Sequence, residues 1–307
     1  MYPATWLAIE IISVILFLLA IGDAILRFNE QERLTRVFEI IGFVIYGIIF
    51  ENIGVAVGIY HYSSERFFMA GTVPLEIPFL EAVIFYVGML FVERTKLPDK
   101  IYPFFVGLFG MIMDAGIDPV AVSDQYLING TLEGRWVWQN FYPEMFYGIP
   151  YFNFTGWFAL MFYYSLIVVL GRRYLRSHDY KLKYGIFYII IAIFLSDILI
   201  ASPVTNLMLF GSPFPIYGRM LVELITLSIV TAIALILIAY YWPRVYVPFD
   251  KSTYIIWIIS FTIHIYNITT AAAIGSPAIV PAIVFAMLTL VLFLFFSEFN
   301  PLIKQKE

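Results

Sequence analysis

The chain is predicted to be all-α, a polytopic transmembrane helix bundle of about nine helices that forms a single integral membrane domain over residues 1–307. Hydrophobic residues make up 62% of the 307 residues, and charged residues make up only 13%. Soluble domains carry about 25% charged residues, so too few charges remain here to coat a soluble globule of this size. The apolar runs also reach roughly 20 residues, the length that crosses the hydrocarbon core of a bilayer.

Nine apolar segments account for most of the chain. The turn signal Gly275-Ser276-Pro277 separates the last two, which would otherwise read as one long segment. The N-terminus lacks the basic stretch of a signal peptide, so the first segment is expected to be a retained helix. The predicted spans are residues 3–26, 38–60, 74–93, 101–122, 150–171, 184–204, 216–242, 252–273 and 277–299.

The basic residues indicate how these spans are oriented. Cytoplasmic loops collect Lys and Arg, and most of the 18 cations fall after spans 1, 3, 5 and 7 or in the C-terminal tail. This pattern predicts an N-terminus outside, a cytoplasmic C-terminus and a multi-pass protein of the cell membrane. The predicted cytoplasmic cations are Arg27, Arg33, Arg36, Arg94, Lys96, Lys100, Arg172, Arg173, Arg176, Lys181, Lys183, Arg244, Lys251, Lys304 and Lys306.

The longest connection covers about residues 123–149 on the predicted outer side. It is too long for a plain hairpin, and its Trp and Tyr residues are untypical of a disordered linker. We therefore expect this segment to fold over the helix bundle as a capping loop.

Acidic residues recur within the predicted spans. Ionisable residues inside a membrane are costly and are functional candidates by default. At a rise of about 1.5 Å per residue, the acids of six helices fall into one layer in the outer half of the bilayer, while the inner half is expected to be almost purely apolar until the basic loops. The ionisable residues considered are Glu10, Glu51, Glu76, Glu81, Asp114, Asp118, Asp197 and Glu223, with Arg219 and His264.

Two helices carry their acids on stripes of small residues. Residues spaced three or four apart share one helix face, and small residues on that face let helices approach closely. These stripes predict an internal cavity with carboxyl groups on its wall. The stripes are Gly47, Glu51, Gly54 and Gly58 in span 2, and Gly107, Gly110, Asp114 and Asp118 in span 4.

Some of these groups also fit a purely structural role. Arg219 and Glu223 have the i, i+4 spacing of a helical ion pair. Glu10 lies near a helix end, and His264 is expected to be a packed or hydrogen-bonded histidine. With no Cys and only 3 His, no thiolate or His-rich metal site is expected.

Clustered carboxyl groups in an apolar cavity favour acid chemistry. Burial and mutual repulsion keep such a group protonated at neutral pH, so that it can donate its proton to an alkene. Aromatic faces then stabilise the carbocation. Water capture gives hydration, while proton loss or attack by an internal double bond gives isomerisation or cyclisation. A proton-coupled membrane transporter is a different reading of intramembrane acids, and it requires polar access from both sides.

Five stretches of the chain resemble the carotenoid 1,2-hydratase family, which comprises bisanhydrobacterioruberin hydratases and related γ-carotene or lycopene hydratases of bacterioruberin-type pathways. The stretches are ENIGVAVGIYHY at 51–62, GTVPLEIPF at 71–79, DAGIDPVAV at 114–122, GRWVW at 134–138 and YGIPYFNFTGW at 147–157. They follow the family's order and lie within a region of about 100 residues. The resemblance marks Glu51, Gly54, Gly58, Tyr60, Asp114, Asp118, Pro119, Trp136, Trp138, Gly148, Pro150, Asn153 and Trp157.

The resemblance implies a hydro-lyase without a cofactor that adds water across the terminal C1–C2 double bond of an acyclic carotenoid, giving a tertiary alcohol. Asp118 or Asp114 is then the expected proton donor, with Glu51 as a charge-tuning neighbour or base. The expected partners are the carotenoid, water, the lipid bilayer and other membrane enzymes of the pathway, with no nucleic acid. The candidate substrate- or water-binding residues are Asn153, Trp157, Tyr60, Trp136, Trp138, Glu81, Asp197, Arg219 and Glu223.

Two alternatives stay open at this stage. A carotene (lycopene) cyclase or an isomerase uses the same protonation step, and product mass distinguishes it from a hydratase because only hydration adds water. The tryptophans also fit an interfacial aromatic belt, which would place them at the membrane surface without a role in chemistry.

Overall fold

The computed structural model describes residues 3–63, 65–139, 142, 145–241 and 253–295. Within these residues the chain forms nine α-helices of 17 to 27 residues and one short helix of 8 residues. The helices are α1 (Ala4–Arg27), α2 (Glu30–Ala56), α3 (Glu76–Glu93), α4 (Tyr102–Ser123), α5 (Tyr151–Arg176), α6 (Leu182–Ile200), α7 (Pro203–Phe210), α8 (Met220–Tyr240), α9 (Tyr254–Ala273) and α10 (Ile279–Phe295), with a 3₁₀ turn at Asp99–Ile101 before α4.

Seven of these helices, namely α1, α2, α4 with its 3₁₀ turn, α5, α6, α8 and α9, are long and apolar enough to cross a membrane. The helix α10 is shorter, and α3 carries three glutamates. Despite those charges α3 is buried along nearly its whole length, since it packs against α1, α2, α4 and α9. The predicted class, an all-α polytopic membrane bundle, is confirmed. The count of nine spans and the orientation of the bundle stay predictions.

Two predicted span boundaries are wrong. The span predicted at 38–60 ends at Ala56, because Gly58 adopts φ +77°, a conformation that stops a helix at little cost for glycine. The span predicted at 184–204 is interrupted after Ile200. There the Ser202 side chain accepts the N–H of Thr205 and a proline occupies the first helical position, so a new helix, α7, begins.

Six short strands join helix ends at one end of the bundle, which we call the strand-bearing end. The strand β1 (Tyr60–Tyr62) pairs with β6 (Trp136–Trp138), while β2 (Met69–Ala70) pairs with β3 (Val73–Pro74) and β4 (Tyr126–Ile128) with β5 (Thr131–Glu133). The register sets Tyr60 opposite Trp138 and Tyr62 opposite Trp136, which ties the end of α2 to the loop after α4. The predicted capping loop contains β4, β5 and β6, and its residues 140, 141, 143 and 144 lie outside the described residues.

The opposite end of the bundle contains a buried ion-pair network, at the level where the predicted spans meet the basic loops. Arg172 on α5 bonds to both Glu39 on α2 and Glu93 on α3. Arg36 adds a bond of 2.8 Å from Nη1 to Oε1 of Glu93. Sequence reasoning did not include Glu39, which is only 2% exposed. Four of the predicted cytoplasmic cations, Arg244, Lys251, Lys304 and Lys306, lie outside the described residues.

Candidate active site

A cavity of about 350 Å³ lies at the strand-bearing end, between α2, α3, α4, α5, α6 and α7. Its lining is mostly apolar and aromatic, with a few carboxyl and amide groups, which is the usual composition of a site for a small apolar ligand. Of the residues singled out from sequence, it is lined by Glu51, Gly54, Tyr60, Glu76, Asp118, Trp136, Trp138, Asn153, Trp157 and Asp197.

One side of the site is a pair of aspartates joined by an amide. Nδ2 of Asn153 donates to Oδ2 of Asp114 and to Oδ2 of Asp118, both at 2.8 Å. Both carboxyl groups are buried, and they lie one helical turn apart on the same amide nitrogen. Two buried carboxylates so close to each other repel, so ionisation of one favours the protonated form of the other. The pair is therefore suited to hold a proton, and of the two aspartates Asp118 lines the cavity.

Small residues on α4 bring Asn153 to this pair. A Cβ on Gly107 would lie 2.9 Å from the ring of Phe158, and one on Gly110 would lie 2.5 Å from Cγ of Met161, both on α5. The absence of these side chains lets α4 and α5 approach closely, as small residues do between membrane helices. The predicted stripe of glycines and aspartates on α4 thus faces α5 and positions the carboxyl groups against Asn153.

The second side of the site is built around Glu51. Its Oε2 accepts the hydroxyl of Tyr60 at 2.6 Å and also that of Tyr62. Burial is the main cause that raises the pKa of both phenols well above the ordinary value near 10, and the charge of the nearby Glu51 is the second. Both hydroxyl groups therefore keep their protons and remain hydrogen-bond donors. Glu81 contacts Glu51, and it fits there because a Cβ on Gly47 would lie only 2.1 Å from its Oε2.

Aromatic rings stand next to these carboxyl groups. The ring of Trp138 meets Tyr60 edge-on, with 4.9 Å between centroids, and meets Phe152 at 5.8 Å. Trp136 lies edge-on to Tyr62 at 6.0 Å. Both tryptophans are buried and line the cavity. This arrangement can stabilise a positive charge that forms beside the carboxyl groups.

The lining of the cavity continues to the apolar exterior of the bundle. Ile53 and Val57, near the end of α2, line it and are 51% and 63% exposed. Asp197 on α6 lines the same side and is only partly buried, and its carboxyl oxygens have no hydrogen-bond partner among the described residues. The cavity therefore has a lateral mouth on the surface that would face lipid.

The structure does not bring every predicted residue to the cavity. Glu223 is buried against the start of α5, where its Oε2 accepts the hydroxyl of Tyr142 and, at 3.2 Å, the N–H of Phe152. Arg219 is exposed and accepts the N–H of Glu223 through its backbone carbonyl at 3.0 Å. The two side chains form no ion pair in the described structure, because Arg219 precedes the helix as its N-cap while Glu223 points toward α5.

Two other ionisable groups have structural partners. Glu10 bonds Nε of Arg66 at 2.8 Å. His264 is buried, with Nε2 2.9 Å from Oγ1 of Thr289, which is the packed histidine that was expected.

Sequence reasoning gave no role in the site to three polar residues. Tyr62 follows Tyr60 at the two-residue spacing that places side chains on one face of a strand, a signal that required the strand to be recognised first. Glu76 was considered as an acid but given no role, and Arg135 was noticed only as part of GRWVW. Both line the cavity.

Comparison with known proteins assigns the chain to a family. A search of curated proteins and a search of solved structures each found no match. The profile of a family described as carotenoid biosynthesis protein matches residues 9–225, which is more than half of the chain and contains every residue that lines the cavity. The chain therefore belongs to the family of carotenoid biosynthesis proteins.

Proposed function

We propose that the protein is a carotenoid hydratase that needs no cofactor and adds water across the terminal C1–C2 double bond of an acyclic carotenoid. One observation carries the proposal. The Asp118 carboxyl, which Asn153 binds together with Asp114, and the Glu51 carboxyl, which two tyrosines bind, open onto the same aromatic-walled cavity. Membership in a carotenoid biosynthesis family supports a carotenoid as the substrate.

The first step is protonation of the alkene. The carboxylic acid of Asp118 gives its proton to C2, so its O–H bond breaks, a C–H bond forms from the π pair, and C1 becomes a tertiary cation. The amide of Asn153 donates a hydrogen bond to the resulting carboxylate. The faces of Trp138 and Tyr60 stabilise the cation while it exists.

The second step is capture of the cation by water. The water oxygen bonds to C1, and the extra proton passes to a carboxylate of the site, from which it returns to Asp118 before the next turnover. The product is a tertiary alcohol, and no net proton is consumed. Glu51 and Glu81 keep further carboxyl groups within the same cluster, which supports proton return inside the site.

The lateral mouth supports substrate binding from the bilayer. A carotenoid is apolar and long, and the exposed side chains at the mouth, Ile53 and Val57, are apolar as well. One end of the carotenoid occupies the cavity while the rest of the polyene lies along the bundle or in lipid. We place the strand-bearing end on the extracytoplasmic side of the cell membrane, following the distribution of Lys and Arg.

A carotene cyclase or isomerase would share the first step but would have to keep water from the cation. The polar groups that line the cavity together with Asp118, which include Glu51, Asn153 and Asp197, favour a site that admits water. A proton-coupled transporter would instead move protons or solute across sealed vesicles. Family membership favours a pathway enzyme over a transporter.

The test is expression in a lycopene-producing host followed by mass spectrometry of the pigments. Hydration at one or both ends adds the mass of one or two waters, and the D118N variant should restore the pigment profile of the host with an empty vector. A new pigment of unchanged mass would contradict hydration and indicate cyclisation or isomerisation.

A further inference from the structure

Gly156 on α5 lines the cavity but has no neighbour to accommodate. Beyond its own stretch of helix, no atom in the described part of the chain lies within 4 Å of a Cβ placed on Gly156. Apart from Gly22 on α1, every other glycine within a described helix has a neighbouring side chain in that space. Gly54, for example, lines the same cavity, but the Tyr60 hydroxyl occupies its place. At Gly156 the missing side chain instead leaves room inside the cavity.

This open space is not explained by the helix itself. Glycine inside a helix lowers its stability relative to alanine. An alanine methyl at this position would have space on every side within the described structure. Helix stability and helix packing therefore both permit a side chain here, and the contents of the cavity are what a side chain would restrict.

Gly156 lies one helical turn from the group that binds the proton donor. Asn153, whose amide donates to Asp118, precedes Gly156 by three residues, so both lie on one face of α5. Leu160 continues this face and also lines the cavity, about 10 Å along the helix from Asn153. The cavity thus extends from the acid along α5 toward the middle of the bundle.

The lateral mouth of the cavity lies between α2 and α6. Toward the opposite end of the bundle these helices pack closely, since a Cβ on Gly42 would lie 2.8 Å from Cγ2 of Ile189. Near the strand-bearing end, Ile53 on α2 and Ala201, directly after α6, are both exposed and both line the cavity. The two helices therefore border a slot, and α5 with Gly156 forms its floor.

A flat apolar chain suits this slot. The lining near the mouth is mostly apolar, and it includes Phe50, Ile53, Leu160 and Ile200. Carbon atoms in contact lie about 3.5–4 Å apart, so a conjugated chain can rest on the bare backbone of Gly156, where a side chain would hold it away. A cavity of about 350 Å³ has the size of a site for a small ligand, so most of a long carotenoid has to lie outside it.

We infer that Gly156 sets the width of the slot through which the substrate chain leaves the cavity, an inference that rests on the proposed function. With the reacting end beside Asp118, the chain crosses Gly156 and passes between α2 and α6 into the bilayer. Gly156 is then a specificity-determining residue, which admits a flat unsaturated chain that continues beyond the reacting end. A side chain at this position narrows the slot without contacting the acids.

The first experiment measures binding in the absence of turnover. Lycopene is titrated into the purified full-length D118N protein in detergent, with quenching of tryptophan fluorescence as the readout, because Trp136, Trp138 and Trp157 line the cavity. We expect the D118N/G156L double variant to bind lycopene at least tenfold more weakly than D118N. The D118N/G156A double variant should have an intermediate affinity, because a methyl group narrows the slot less than a leucine side chain.

The second experiment measures turnover and stability with Asp118 intact, in lipid vesicles that contain lycopene and by thermal unfolding in detergent. In G156L we expect kcat/KM for hydration to fall at least tenfold, with the pH profile unchanged because the carboxyl groups are unchanged. The Tm should not fall, since the added side chain enters open space. G22L is the matched control, because Gly22 has the same open space but does not line the cavity, and it should bind and hydrate as the wild type does.

Equal lycopene affinity in D118N and D118N/G156L would overturn the inference, and so would a loss of affinity that D118N/G22L shares or that accompanies a lower Tm in G156L. If leucine at this position prevents folding, G156A is judged by the same readouts, because alanine favours a helix. The proposed hydration fails separately: a wild-type protein whose lycopene binding depends on Gly156 but which adds no water would contradict hydration and leave the slot as a site for the chain.

Discussion

Gly54 and Tyr60 are fitted to each other. A Cβ on Gly54 would lie 2.3 Å from the hydroxyl oxygen of Tyr60, so the phenol occupies the space that any other residue would fill. That hydroxyl donates to Glu51, one turn back along α2. A backbone position without a side chain thus determines the hydrogen bonding of a buried carboxyl.

The G54A variant should lose activity although it adds only one methyl group. The methyl would displace the Tyr60 hydroxyl from Glu51, and a hydrogen bond to such a group contributes about 1–3 kcal/mol, so we expect about a tenfold or greater fall in hydration rate. Y60F should show a similar fall. The control is G22A, since nothing lies within 4 Å of a Cβ at Gly22 on α1. Equal rates for G54A and G22A would contradict the role of the Tyr60–Glu51 bond.

The D118N and D114N variants should both fold and both lose most turnover. General acid catalysis contributes about 10²–10⁴-fold, and an amide cannot donate a carboxylic acid proton. Pigment analysis in the lycopene-producing host measures the loss. D23N is a suitable control, because Asp23 is an acid of α1 that bonds Arg27 and does not line the cavity. Wild-type turnover in both D118N and D114N would remove the aspartates as proton donors.

Helix pattern and spacing were enough to predict much of the bundle and part of the site. The glycine-and-acid stripe of α2 faces the interior, where Gly47 accommodates Glu81 and Gly54 accommodates Tyr60. Such stripes are readable because the helix repeat fixes which residues share a face. The same repeat does not apply past Ala56, so Gly58 is part of a turn and Tyr60 is part of a strand.

The remaining features depend on pairings that no local pattern encodes. Glu76 and Arg135 line one cavity only because the start of α3 and the loop after α4 meet. The Glu39–Arg172 bond joins residues 133 positions apart. A single depth estimate also grouped Glu223 with the cavity acids, although its side chain points to the start of α5. The rise along a helix gives the depth of a residue in the membrane. The direction in which its side chain points depends on how the neighbouring helices are placed.

The W138L variant should hydrate more slowly than W138F. Leucine keeps an apolar side chain but removes the π face, and a desolvated cation–π contact contributes about 2 kcal/mol, or roughly 30-fold in rate. Phenylalanine retains an aromatic face. The change from tryptophan to phenylalanine also breaks no hydrogen bond within the described structure, because Nε1 of Trp138 has no hydrogen-bond partner among the described residues. Initial hydration rates of the purified variants measure the difference. Equal rates for the two variants would leave Trp138 as a packing residue or as part of an aromatic belt.

The R172M variant should lower stability without changing the chemistry. It removes the cation from a buried network and leaves Glu39 and Glu93 without their main partner at the end of the bundle opposite the cavity. Breaking a buried pair on one side costs about 3–5 kcal/mol, which thermal unfolding in detergent will show as a lower Tm. R173Q is the matched control, since the Arg173–Asp99 pair is exposed and should change Tm little. Turnover per folded molecule should stay at the wild-type value in both variants. A loss of turnover in R172M at unchanged Tm would instead indicate that this network takes part in function. A role of that kind is what a proton-coupled transporter, with access from both sides of the membrane, would require.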